Sequence, residues 1–252
     1  MGDRPPPWQH VLSRDLLAPL DPRTRLLGAL ALILAVLSLD GPAAGLLAVA
    51  AAFGLALAAG WRPAGLARRL AHVEGIMAAL FLVLPFTTPG TTVLHLGPLA
   101  ATSDGLLLAL GLMLRVTASA LIVLALLATV EPIRLGQALA RLRTPVRLVQ
   151  LLLLVLRYGA LLRAELRRMR EAARARGFRG GLSIHALRSF GWLAGMTLVR
   201  ALERAERVEE GMRLRLWQGA LPVAAPGRLG RADAAFGTGV LALALLAVIG
   251  IR

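Results

Sequence analysis

Residues 105–130 read GLLLALGLMLRVTASALIVLALLATV, a run in which Arg115 is the only charge. A membrane-spanning helix needs about 20 predominantly apolar residues, so this run is long enough to cross a bilayer. The rest of the chain points the same way. Of its 252 residues, 57% are hydrophobic and 17% are charged, whereas soluble domains run at about 45–50% apolar and about 25% charged. Too little polar surface exists to cover a globule, and the bilayer is the expected solvent. Abundant Leu and Ala, 26 Gly and no Cys exclude collagen-like, disulfide-stapled and disordered classes. Without Cys there is no thiolate metal site and no cysteine nucleophile.

Working outward from that run, four more apolar stretches stand out: Leu26–Leu39, Ala44–Gly60, a short one from Gly75 to Thr88 containing Pro85, and Ala234–Ile251. Asp21-Pro22 reads as a helix start, with Asp as N-cap and Pro in the first turn. Ahead of it, residues 1–25 lack the pattern of a cleavable signal. Trp8, Val11, Leu12 and Leu16 follow Pro5-Pro6-Pro7 at helical spacing, which predicts a short helix lying in the interface.

Loop charges orient the spans. Arg4, Arg14, Arg23 and Arg25 precede the first, and Arg62, Arg68 and Arg69 follow the second. The 88–104 loop holds Asp104 and His95 but no Arg. The positive-inside rule then puts the N-terminus, the 61–74 loop and everything after Val130 in the cytoplasm. One more span puts the C-terminus outside.

The charge is strongly concentrated. Net charge is +15, all 29 basic residues are Arg, and 20 of them lie between Arg134 and Arg231. Genome composition is the plain explanation for the absence of Lys. The same block contains Leu148–Leu156, which hydropathy alone would make a span. Arg147 and Arg157 bracket it too closely, and a crossing would put the Arg-rich part on the wrong side. It therefore reads as part of a long helix lying along the cytoplasmic interface, its Arg side chains snorkelling toward headgroups and water. Phe190–Val199 is also too short to cross.

Two segments in this block share a design. In RAELRRMREAARARGF, residues 163–178, Arg163, Arg167, Arg170 and Arg174 form one stripe along a helix. Gly177 sits where a left-handed cap would end that helix, with Arg176 in its last turn. In RALERAERVEEGMRLRLW, residues 200–217, Glu203–Arg207 and Glu209–Arg213 are favourable i,i+4 pairs. Each segment closes on an Arg followed by an aromatic, Phe178 or Trp217, a composition suited to a protein-interface anchor. The plain alternative is surface charge held to anionic lipid.

On these residues the chain resembles the transmembrane T component of energy-coupling factor (ECF) transporters, most closely the CbiQ-like cobalt/nickel branch. The resemblance starts at Asp21-Pro22-Arg23-Thr24-Arg25-Leu26-Leu27 and continues to the last span. Its most specific parts are the lead-in from Leu202 to Val208 and two Ala-Arg-Gly motifs. The first stands intact as Ala175-Arg176-Gly177. The second departs from the pattern as Leu214-Arg215-Leu216, keeping only the Arg. The resemblance implies that Arg176 and Arg215 anchor the helix ends on a pair of cytoplasmic ABC-type ATPases, with Glu203, Arg204 and Arg207 supporting the coupling helix. It also implies a separate membrane subunit that binds the substrate, and a location in the bacterial cytoplasmic (inner) membrane.

Rival chemistries find little support. A P-loop of the form G-x-x-x-x-G-K-[ST] requires Lys, so ATP is expected on the partners and no cofactor on this chain. His10, His72, His95 and His185 are scattered, which argues against a metal site here. A membrane enzyme would need clustered carboxylates, and Asp40, Glu74 and Asp104 show no Asp-x-x-Asp spacing. A permease that lines its own substrate path would show internal repeats and mid-membrane polar groups. Arg115, flanked by Thr117 and Ser119, is the one charge well inside a span, and no repeat is visible. Nucleic-acid binding is set aside because the Arg rows alternate with membrane-grade Leu runs.

The sequence therefore predicts an all-α polytopic membrane protein of about five transmembrane helices. Residues 1–130 would hold the N-terminal segment and four spans, 131–233 the long cytoplasmic coupling helices, and 234–252 the last span. The expected function is a non-catalytic coupling subunit of an ATP-driven importer for cobalt or nickel. The alternative is a permease subunit of another ABC importer.

Overall fold

The computed structural model describes residues 17, 19–39, 41–96, 99–142, 144–178, 180, 181, 183–214 and 230–249. Along them run α1 (Pro22–Ser38), α2 (Pro42–Ala58), α3 (Pro63–Thr87), β1 (Thr92–Leu96), β2 (Leu99–Thr102), α4 (Ser103–Leu126), α5 (Pro132–Arg141), α6 (Val146–Ala175), α7 (Ile184–Leu214) and α8 (Arg231–Ile249). The chain is an all-α membrane protein carrying one short β-hairpin. It divides into two units within α5. One contains α1 to α4, the hairpin and α8, and the other contains α6 and α7.

In the first unit, α1, α2 and α3 each begin with Pro in the first turn, where its missing N–H costs nothing and its fixed φ suits the helix. The Asp21 carboxylate caps α1 by accepting the Arg23 N–H at 2.9 Å, as the Asp-Pro pair predicts. The bundle's packing inverts that of a soluble protein. Its buried positions are mostly small, including Ala29, Ala52, Ala56, Ala118 and Ala125, while Leu30, Leu34, Leu47, Leu82 and Leu107 point outward and are more than half exposed. Small residues let helix backbones approach closely, and large apolar side chains on the outer surface suit lipid. At 24 residues α4 is long and apolar enough to cross by itself. The 17-residue α1 and α2 are each about 26 Å long at 1.5 Å per residue, slightly short of a hydrocarbon core of about 30 Å.

The structure corrects three boundaries. Residues 63–74, expected as a loop, are the first half of α3, and the helix bends by 50° between Pro63–Ala71 and Val73–Thr87. Arg62, Arg68 and Arg69 lower the hydropathy of this stretch without lowering its helix propensity, so charge was mistaken for a break. The helix also runs through Pro85, which lies in the last turn, where only one backbone bond is lost. The Thr88 hydroxyl donates to the Leu84 carbonyl there at 2.8 Å. Thr92–Leu96 and Leu99–Thr102, also expected as loop, pair as antiparallel strands with Leu96 opposite Leu99. The hairpin brings the end of α3 against the start of α4. A Cβ on Gly105 would fall 2.8 Å from the Pro85 Cα, so only glycine permits this approach. Third, α8 starts at Arg231, ahead of the expected Ala234, which places Asp233 in its first turn.

In the second unit, Leu148–Leu156 is the front part of α6, a continuous helix of 30 residues, about 45 Å long. Phe190–Val199 likewise lies inside the 31-residue α7. The interfacial helix expected around Trp8–Leu16 lies outside the described residues.

Candidate functional site

The end of α6 is built by its sequence. Arg176 is the C-cap residue, and Gly177 takes φ +85°, a conformation that strains any residue with a Cβ. The Gly177 N–H donates to the Arg174 carbonyl at 3.0 Å and the Phe178 N–H to the Ala173 carbonyl at 3.0 Å. This pair of bonds is a Schellman cap, with Gly at C′ and an apolar residue at C″. Open space surrounds Gly177, so the dihedral angle and not crowding demands glycine.

Phe178 then turns back against α7. Its ring meets Phe190 edge-on at 5.4 Å between centroids, a favoured aromatic geometry. The Arg170 guanidinium lies 6.0 Å from the Phe190 ring centre, within cation–π range. The Ser183 hydroxyl caps the start of α7 by accepting the Ala186 N–H at 3.2 Å. The connection between the two long helices is thus fixed at both ends. Ala175, Arg176 and Gly177 are exposed on it, and Arg163, Arg167, Arg170 and Arg174 are exposed along the same helix.

The sequence reading missed the clasp between these helices. The Glu165 carboxylate on α6 accepts a hydrogen bond from Arg200 at 2.7 Å and lies 3.9 Å from Arg204, both on α7. The hydrogen bond from Arg200 holds the Glu165 carboxyl below its usual range, and the charges of Arg200, Arg204 and Arg168 act in the same direction against a desolvation cost. Two signals were present, an acid inside an Arg stripe and a pair of Arg at i,i+4. Their pairing across 35 residues was not readable from spacing. Of the three supporting residues expected on the second helix, Arg204 joins this clasp. Glu203 and Arg207 pair with each other at 4.0 Å on the solvent side. Leu214 closes α7 and is 85% exposed. Arg215 and Leu216 lie outside the described residues.

In the bundle, the segment from Asp21 to Arg25 is consumed by the fold. Asp233 of α8 accepts the Asp21 N–H at 2.8 Å and the Thr24 hydroxyl at 2.7 Å through one oxygen, and the Gly230 N–H at 2.8 Å through the other. Arg25, 3% exposed, donates to the Thr129 hydroxyl at 2.8 Å. Arg115 is half-buried midway along α4 and shares a groove with Arg69 of α3. Glu74 accepts the Thr117 hydroxyl at 2.6 Å, linking α3 to α4. Among the described residues, no three His, Asp or Glu side chains gather in a way that would hold a metal ion.

Comparison with known proteins completes the description. The family model described as "Cobalt transport protein" CbiQ matches residues 13–224. The cobalt transport protein CbiQ of Rhodobacter capsulatus is 34% identical over 150 residues, which cover 58% of this chain and 61% of that protein. The chain thus spans about three fifths of the length of the curated relative it matches. With a family match extending from the N-terminal segment through both long helices, the chain belongs to the CbiQ family of cobalt transport proteins.

Proposed function

We propose that this chain is the T component of an ECF-type importer. It is a non-catalytic membrane subunit that passes the movement of two cytoplasmic ATPases to a separate membrane protein that binds the substrate. ATP is bound and hydrolysed on the partners. The cargo is cobalt or nickel, cobalt being the metal named for the relative and the family. The subunit lies in the bacterial cytoplasmic membrane with its N-terminus inside, the orientation that the Arg-rich segments favour.

The observation that carries this reading is the end of α6. An exposed Arg176 stands on a capped helix terminus, backed by the Phe178–Phe190 contact and by the Glu165 clasp. A rigid helix end transmits force, and a guanidinium held in place makes a bidentate contact with a partner carboxylate at low entropic cost. The permease alternative is weakened by the groove that contains Arg69 and Arg115. Among its described lining residues are Arg69 and Arg115 and no Asp or Glu, a poor surface for a divalent cation.

Co-purification tests the proposal. Tagged wild-type chain, expressed with its neighbouring ATPase genes, should retain the ATPases in mild detergent. Arg176→Glu should reduce retained ATPase on the order of 30-fold, as expected when one side of a close charge pair is reversed. Arg215→Glu should do less, because its motif is degenerate. Unchanged ATPase retention in Arg176→Glu would overturn the docking role.

A further inference from the structure

Glu74 lies on α3, thirteen residues before the helix ends at Thr87, about 20 Å along the helix from its hairpin end. An ionisable group at that depth in a membrane bundle marks a candidate functional position, and nothing in the proposed coupling role uses it. It also stands beside a bend, where α3 turns by 50° between Pro63–Ala71 and Val73–Thr87. Sharp bends in helices almost always trace to proline, to glycine–serine pairs or to a group inserted in the backbone ladder. Residues 70–74 hold neither proline nor glycine, so the angle is held by contacts with α4.

Ahead of the bend, the Trp61 indole N–H donates to the Leu124 carbonyl at 3.0 Å, and Arg69 stacks over the Trp61 ring at 4.7 Å. These contacts tie the first arm of α3 to the end of α4. Just after the bend, the second arm is tied by Glu74 to Thr117. The Thr117 hydroxyl has a single hydrogen and two acceptors in reach. One is Glu74 Oε1 at 2.6 Å on α3, the other the Met113 carbonyl at 2.8 Å on its own helix. Donation to Met113 is the back-bond open to Thr within a helix, and it links nothing. The other Glu74 oxygen, Oε2, is buried and has no hydrogen-bond partner among the described residues. The linked state thus leaves one polar atom unmet, whereas Thr117 loses no hydrogen bond on release.

We propose that Glu74 and Thr117 form a two-position latch. With its hydrogen on Glu74, Thr117 holds α3 bent against α4; with it on Met113, α3 is free to straighten. Interhelical hydrogen bonds in membrane proteins are weak on average, so a bond with a ready alternative is one that neighbouring contacts can shift. Straightening a 50° bend between arms about 12 and 21 Å long displaces the apex by about 6 Å. That movement changes the surface that Ile76 and Leu82, both 70% exposed, present to lipid or to a membrane partner. The latch consists of contacts inside the bundle and is independent of ATPase docking at Arg176.

Spin-label distances in the full chain, reconstituted in lipid nanodiscs, test the latch. The chain has no Cys, so Ile76→Cys, beside the apex, and Leu47→Cys, on α2, place the two labels unambiguously, and both positions are at least 70% exposed. The bent distance should dominate in this otherwise unchanged chain. Thr117→Val removes the hydroxyl at nearly constant volume and should shift the distance by several Å, up to about 6 Å. Glu74→Leu should do the same. Thr117→Ser keeps the donor and Glu74→Gln keeps an acceptor, so both should hold the bent distance. Ser119→Ala removes a hydroxyl that bonds only within α4, to the Arg115 carbonyl at 2.8 Å, and should also leave it in place. An unchanged distance in either Thr117→Val or Glu74→Leu would overturn the latch. So would a shift in Thr117→Ser, Glu74→Gln or Ser119→Ala as large as that in Thr117→Val.

Discussion

The bundle and the α6–α7 pair are both helical, yet they are held together by opposite means. The bundle has a continuous core in which Ala56, Ala118, Ala125, Leu121 and Leu126 are almost fully buried. Its few buried polar groups sit on neutral or charged partners, as with Arg25 on Thr129. The α6–α7 pair has almost no core: Ala186 is the one buried residue of α7, while Ile184, Trp192, Leu198 and Leu214 are at least 70% exposed. Among the described residues, these two helices are joined by Glu165 between two Arg, the Phe178–Phe190 pair, the Arg170–Phe190 contact and one cap. A bundle with its own core keeps its geometry in lipid without help. Two helices of 30 and 31 residues that expose this much apolar surface gain their stability from whatever covers them.

The comparison breaks if the bundle proves as easily loosened as the α6–α7 pair, and the most damaging single change identifies where to look. Asp233→Ala removes the acceptor for two backbone N–H groups and the Thr24 hydroxyl. Hydrogen bonds to a charged group contribute about 1.5–3 kcal/mol each, and buried donors left unpaired add a desolvation cost. The expected loss is about 3 kcal/mol or more. Thermal unfolding in detergent should register it as a large drop, together with protease access at the start of α8. The α6–α7 contacts should be unchanged, and a uniform loosening of both units would contradict the division.

Gly177→Ala sharpens the comparison from the other side. Holding φ near +85° with a Cβ costs about 1–2 kcal/mol, and nothing nearby can compensate because the glycine faces open space. Hydrogen exchange should speed up at the Gly177 and Phe178 amides, whose bonds form the cap. The bundle's unfolding temperature should stay where it is. A shift in that temperature comparable to the Asp233→Ala effect would mean that the helix end is integral to the core.

How far the sequence could be read depended on whether a feature is local. The α4 run, the Gly177 cap and the exposed Arg stripe were all readable, because each is specified within one or two helical turns. The start of α3 was not. Hydropathy treats Arg68 and Arg69 as a break, although both lie within α3. The hairpin was overlooked because Thr92–Leu96 and Leu99–Thr102 are short and lie between long helices. Asp233 was out of reach for a different reason: its partner Thr24 is 209 positions away, and a lone acid at a helix start looks like an ordinary cap. At the candidate site, Arg176 was singled out through its motif, but the brace on the same helix comes from Glu165, whose partners belong to another helix. Arg115 was legible as an intramembrane charge, whereas its sharing a groove with Arg69 of α3 was not, because the two lie on different helices.

The smallest expected effect concerns that brace and depends on pH. The Arg200 hydrogen bond holds the Glu165 carboxyl below its usual value of 4.5 in the folded chain. A carboxyl whose value is depressed on folding adds stability when ionised. The contribution is complete above the unfolded titration range, and is lost as pH falls through that range and past the folded value. From neutral pH down to about pH 5 the α6–α7 contact should therefore hold, and below that it should weaken progressively. Because the contact lies at the surface, salt screens it and the change is modest. Spin labels on exposed positions of α6 and α7, such as Arg167 and Leu198, should report a broader distance distribution at acid pH than at neutral pH. Glu165→Gln should show the broader distribution at both, with the pH dependence gone. If acid broadens the distances equally in wild type and Glu165→Gln, the brace is not Glu165, and the aromatic contacts of Phe190 with Phe178 and Arg170 and the cap hold the pair instead.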